Sequence, residues 1–337
     1  MRAIKPDAAI LRNASAMFLF ISLFLGPSLA GGAFAQSLDV PSRKWGVSFG
    51  NSKEFTGLRF NFRDRGVRSV TGVNVTLWQP SRDNKNALIT GLSAGIAPGG
   101  GRLRGIQVGL LGAMGETSLA GLNIGGLGVG AGESVKGLMI GGLGAGAGED
   151  LAGVALGGLG VGAGENAVGF LAGGLGAGAG GSVTGVIIGG IGGGVGESMT
   201  GLLVGGLGGG CGEKLTGVAV AGLGVGAGES IDGIVFCGLG AGAPRIRGLA
   251  VCGFGVGGQD LKGIFLAAGM VRVVKDGRLA GLAASAFNYC QGSIKGLSLG
   301  LVNYAWRIEK GLQVGAVNIV RDNPRGLRIL PVFNTRF

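Results

Sequence analysis

Between Gly105 and Gly248 the apolar residues return with a period of 16 residues that drifts to 15. Each unit opens on a glycine: Gly105, Gly121, Gly137, Gly153, Gly169, Gly185, Gly201, Gly217, Gly233 and Gly248. One unit reads GLMIGGLGAGAGEDLA (137–152) and the next GVALGGLGVGAGENAV (153–168). The unit is too short for a helical hairpin, and each of its six glycines would cost a helix about 1 kcal/mol. Strand remains. Leu138 and Ile140 alternate with Met139 and Gly141 and so share a face. After Gly141-Gly142 the apolar phase shifts by one, and Leu143, Ala145 and Ala147 alternate with glycines, as a corner or bulge would produce. Glu149-Asp150 makes a second turn, and Leu151 points inward again. This reading places Leu138, Ile140, Leu143, Ala145 and Ala147 inside and leaves mostly glycine backbone outside.

Two short strands and two corners make one coil of an all-β repeat solenoid. The register continues forward to Gly263, Gly281, Gly296, Gly311 and Gly326 and back to Gly91, Gly72 and Gly57. About 18 coils of 15–16 residues, stacked in parallel at about 4.8 Å, predict a rod roughly 86 Å long. Residues 36–90 read as an N-terminal cap with degenerate first repeats, 91–280 as the glycine-rich array, and 281–337 as later repeats with a C-terminal cap. Exposed end coils would template further strands, so 36–56 (with Trp45 and Phe49) and 326–337 (with Pro331 and Phe337) are the expected covers. The alternative is an outer-membrane β-barrel with one strand per repeat, acting as a channel or scaffold. Phe333 and the final Phe337 fit a closing aromatic strand, but neither face of the strands in 121–240 is polar, as a water-filled lumen requires.

Composition narrows the function classes. Glycine contributes 80 of 337 residues, with only 8 prolines and no G-X-Y period, which excludes collagen. With 46% of residues apolar, a disordered linker is excluded too. The absence of histidine removes Ser-His-Asp and HExxH chemistry. GLGVGAGES resembles a phosphate loop, but Glu133 stands where the lysine is required and the phrase recurs along the array. No acid/base pair can be assigned, so no enzyme, catalytic residue or cofactor is expected. The recurring turn carboxylates Glu116, Glu133, Glu149, Glu165, Glu197, Glu213 and Glu229 are the one candidate for a cation stripe. Solvated turn charges are the simpler account.

Arg2, Lys5 and Arg12 precede an apolar run from Ala16 to Leu25, and Ala33-Phe34-Ala35 offers a small-x-small cleavage site. Residues 1–35 therefore read as a secretory signal peptide, which predicts an exported protein at the cell surface, in the outer membrane or in the periplasm. Beyond it the net charge is +7 over 36–104, −7 over 105–243 and +9 over 244–337. Basic flanks around an acidic middle speak against nucleic acid. For an exported chain the expected partners are a cell-envelope polymer, outer-membrane lipid or another β-sheet surface, including a second copy.

Two side-chain columns test the register. Asn288, Asn303 and Asn318 are 15 apart and Asn334 follows 16 later, which predicts an asparagine ladder at a corner. Cys237 and Cys252 each stand four residues after their unit glycine, so a parallel solenoid stacks them within disulfide range, with Cys211 and Cys290 unpaired. The segments GLNIGGLGVGAGE (121–133), GLSLGLVNYA (296–305) and NPRGLRILPVFNTRF (323–337) resemble those of bacterial exported glycine-rich surface-repeat proteins. The resemblance implies export and a repeat architecture without an assigned activity. The resulting expectation is a non-enzymatic structural or adhesive surface protein.

Overall fold

The computed structural model describes residues 37–337; the predicted leader over 1–35 lies outside the described residues. The chain folds as a β-solenoid of about 16 turns, and not as a barrel. Through the middle of the array each turn contributes a longer and a shorter strand, and each stacks on its own copy. Leu151–Gly157 lies between Ser134–Gly141 and Ala167–Gly173, with Gly153 opposite both Gly137 and Gly169. Gly144–Ala147 lies between Gly128–Ala131 and Gly160–Ala163 in the same parallel sense. Two parallel ladders result, the first built on the unit glycines and the second on the GxGx segments.

The turn count falls short of 18 for two reasons. Gly326 lies in a turn beyond the last parallel rung, and Glu54–Asn61 and Ser69–Thr76 are followed by loops in place of a second-ladder strand. The register also reaches one unit further back than the sequence suggests, because Gly46 stands opposite Gly57.

The unit glycine explains the repeat. Gly153 has φ +131°, and a Cβ added there would overlap the carbonyl oxygen of Gly137 below it. An L side chain is thus refused twice, by conformation and by the next coil.

The inward phase of the first strand is the opposite of the one read from the sequence. Met139 is fully buried, whereas Leu138 and Ile140 are half-buried and face outward, and Leu143 at the first corner is 44% exposed. Ala145, Ala147 and Leu151 do point inward. The physical reason is that Leu-Met-Ile is apolar in both phases, so alternation alone does not choose. Leu151 does choose, since strict alternation carried from it through Gly153 places Ala155, and with it Met139, inside.

The interior column two residues after each unit glycine changes character along the rod. It runs Ser48, Arg59, Asn74, Ser93, Gln107 and Asn123, then Met139, Ala155, Leu171, Ile187, Leu203, Ala219, Val235, Ala250, Phe265 and Ala283, then Ser298 and Gln313, all buried. At the N-terminal end Arg59 donates to Asp64 Oδ1 (2.5 Å), Asn74 Oδ1 (2.7 Å) and Asn51 Oδ1 (3.1 Å). The sequence reading missed this buried network, because charged residues are almost never fully buried unless paired, and the pairing forms only when a loop and the next rung fold back on Arg59.

Both ends close by reversal of strand direction. Leu38–Pro41 pairs antiparallel with Trp45–Phe49, and Ile329–Asn334 pairs antiparallel with Val302–Val320. Each outermost strand is short and carries a proline, Pro41 or Pro331, which cannot donate to a further strand. The covers are strands and not aromatic lids: Trp45, Phe49 and Phe337 are exposed.

Candidate interaction surfaces

The two ladders and two corners divide the rod into four long surfaces. On the first ladder, the outward positions one and three residues after the unit glycine are apolar on every rung from Gly46 to Gly311. They begin at Val47 and Phe49 and end at Leu312 and Val314, and none of them is buried. Shallow dips open on this face, one lined by Ile140, Leu156, Ala172 and Ile188 and another, towards the C-terminal end, by Lys295, Leu297, Lys310 and Leu312.

The first corner adds an apolar edge. Leu127, Leu143, Leu159, Leu175, Ile191, Leu207, Leu223 and Leu239 are exposed one above another. Their backbones are tied rung to rung by hydrogen bonds such as Leu159 N to Leu143 O at 2.7 Å.

The second ladder presents glycine outward. Gly144 and Gly146 repeat as Gly160 and Gly162, Gly176 and Gly178, Gly192 and Gly194, and on to Gly255 and Gly257. Several of these glycines are not demanded by the fold. A Cβ at Gly194 would meet nothing within 4 Å, and one at Gly162 would sit 3.9 Å from its nearest neighbour. In the C-terminal coils the same face carries stacked rings, with centroids 5.7 Å apart for Phe287–Tyr289 and 4.9 Å for Tyr289–Tyr304.

The second corner is acidic. Glu133, Glu149, Glu165, Glu197, Glu213 and Glu229 stack, with Gly181 interrupting the column: Glu149 N donates to Glu133 O at 2.8 Å and Gly181 N to Glu165 O at 2.6 Å. Glu116 falls outside the column, because Glu133 N donates to Thr117 O at 3.0 Å. The side chains are exposed, and Glu197, Glu213 and Glu229 each meet one partner, for example Ser182 Oγ to Glu197 Oε2 at 3.0 Å. Among the described residues no three metal-ligating side chains converge.

The asparagine ladder is built, but inside strands and not at a corner. Asn288 Nδ2 donates to Asn303 Oδ1 and Asn303 Nδ2 to Asn318 Oδ1, both at 2.8 Å, and all three side chains are buried. Each amide also reaches a backbone carbonyl, such as Asn303 Nδ2 to Val314 O at 3.0 Å. Asn334 departs from the expectation. Its strand runs antiparallel, so its Nδ2 donates to the backbone oxygen of Asn318 (3.1 Å) while its Oδ1 accepts from Asn323 Nδ2 (3.1 Å).

Cys237 and Cys252 stand opposite each other in parallel register, as the spacing predicts, and both are buried free thiols. Cys211 and Cys290 are also free and lie in the second ladder, opposite Ala227 and Ala305 respectively. Burial pushes the Cys237 and Cys252 thiols up and Cys290 up to about 11.

No family model, curated protein or solved structure matches this chain.

Proposed function

We propose that this protein is a non-enzymatic, exported structural or adhesive element of the cell surface, a rod that works through its long faces. The observation that carries the reading is the glycine face of the second ladder. Glycine weakens a strand by conformational entropy and missing side-chain contacts. Where the fold demands it, as at Gly153, its presence needs no further account. At Gly162 and Gly194 a side chain would fit, and the bare backbone there is instead suited to close approach by an extended polymer. The adjoining Phe287, Tyr289 and Tyr304 rings offer flat apolar platforms on the same face. Cell-envelope polymer is the partner this surface fits best, and the predicted leader over 1–35 supplies the route to it.

Co-sedimentation of the full chain with isolated cell-envelope polymer tests the reading, together with labelling of intact cells by a membrane-impermeant reagent. The wild-type chain should be labelled and should sediment, and G162R/G194R should fold normally but remain in the supernatant. A chain confined to the cytoplasm, or one whose sedimentation ignores the two arginines, would defeat the proposal.

A further inference from the structure

The opposite face of the rod has a different chemistry. From Val47 and Phe49 to Leu312 and Val314, the positions one and three residues after every unit glycine are aliphatic or phenylalanine, and none is covered among the described residues. At the ends the arrangement is inverted. Arg59, Asn74, Gln107 and Gln313 are inside while Leu58, Phe60, Val73, Ile106 and Leu312 face out. Rungs about 4.8 Å apart and residues about 3.3 Å apart make this a strip about 80 Å long and 13 Å wide, or roughly 1,000 Å². The largest apolar patch on a soluble monomer is typically about 300–600 Å², and a stable interface needs about 800 Å² from each partner.

We infer that this strip is a homodimer interface, in which the first ladders of two copies pack face to face. Sheets that pack in this way lie about 10 Å apart, with branched side chains of one interdigitating with those of the other. The strip is ridged at the rung spacing along its whole length. Only a partner with the same period stays in step over so many rungs, and a second copy has that period. Ala172 leaves a dip between Leu156 and Ile188 where a partner's larger side chain can seat.

Charge marks where along the strip a second copy can seat. The border column just before the unit glycine is uncharged through Ala152, Val168, Thr184, Thr200 and Thr216 and charged on rungs outside that stretch, such as at Arg104, Lys136, Arg247 and Lys262, so a partner's edge can approach without desolvating charge over the middle rungs. Pairing through the first ladder leaves a glycine face outward on each side of the dimer. The inference rests on the rod itself and stands whether or not the protein is exported or adhesive.

Sedimentation velocity of the full chain across micromolar concentrations tests it, alongside L156K/I188K/V220K. These three outward residues lie on alternate rungs and leave the core column intact. The wild-type chain should sediment as a dimer, and the lysine variant as a monomer with an unchanged β-sheet spectrum, its dissociation constant raised by about 100-fold or more. The milder L156S/I188S/V220S should fall between them, which covers a lysine variant that fails to fold. A wild-type monomer at every concentration would overturn the inference. So would an oligomer that the folded variants leave unchanged, and so would a monomer that floats with phosphatidylcholine vesicles through the same three residues.

Discussion

The two ladders of each coil use glycine in opposite ways. In the first, one glycine per rung is compulsory: Gly153 is held at φ +131° with the Gly137 carbonyl where its Cβ would be. The positions around it carry branched side chains on both faces of the strand. In the second, several outward glycines tolerate a side chain, as at Gly162 and Gly194, though Gly178 and Gly210 do not, while alanine and valine fill the inside. The same residue therefore marks a constraint of folding in one ladder and a property of the surface in the other. Abundance alone does not tell them apart; the space around the missing Cβ does.

Substitutions can break that contrast. The largest effect is expected for Gly153→Ala, which forces a strained φ and a backbone clash in mid-rod and should destabilise the chain by at least about 3 kcal/mol, read from denaturant midpoints. Asn303→Ala comes next. It leaves Asn288 Nδ2 and Asn318 Oδ1 without their side-chain partner in a buried part of the second ladder, a loss of about 2 kcal/mol.

The thiols give a pH test of the same interior. Burial raises the Cys290 pKa from 9.0 to about 11, so between those values the folded chain keeps a proton that the unfolded chain has lost. Its contribution to stability is full below pH 9 and should fall as pH rises towards 11, and C290A should flatten that slope in thermal melts. The stacked pair sharpens the register: after mild oxidation, peptide mapping should find Cys237 linked to Cys252 and never to Cys211 or Cys290. The smallest effect is expected for Gly194→Ala, which should be neutral or stabilising by about 0.5 kcal/mol because it restricts only the unfolded chain.

Much of the architecture is legible in the order of residues. A period of 15–16 with one compulsory glycine per unit determines parallel in-register stacking, because only a copy directly above and below puts Gly beside Gly and Cys237 beside Cys252. The spacing of Asn288, Asn303 and Asn318 determines a side-chain ladder for the same reason. What only the tertiary structure decided is which face closes. Leu138, Met139 and Ile140 are apolar in either phase, and larger side chains are the natural choice for a core, yet Met139 is inside and the other two face out. At the rod's ends Arg59 is buried, because Asp64, Asn74 and Asn51 converge on it from different loops and strands. Asn334 left the ladder because its strand turns back antiparallel to close the last rung. Repetition is a local property that a sequence carries openly; inside and outside, and the place where the repetition stops, depend on which groups meet across the fold.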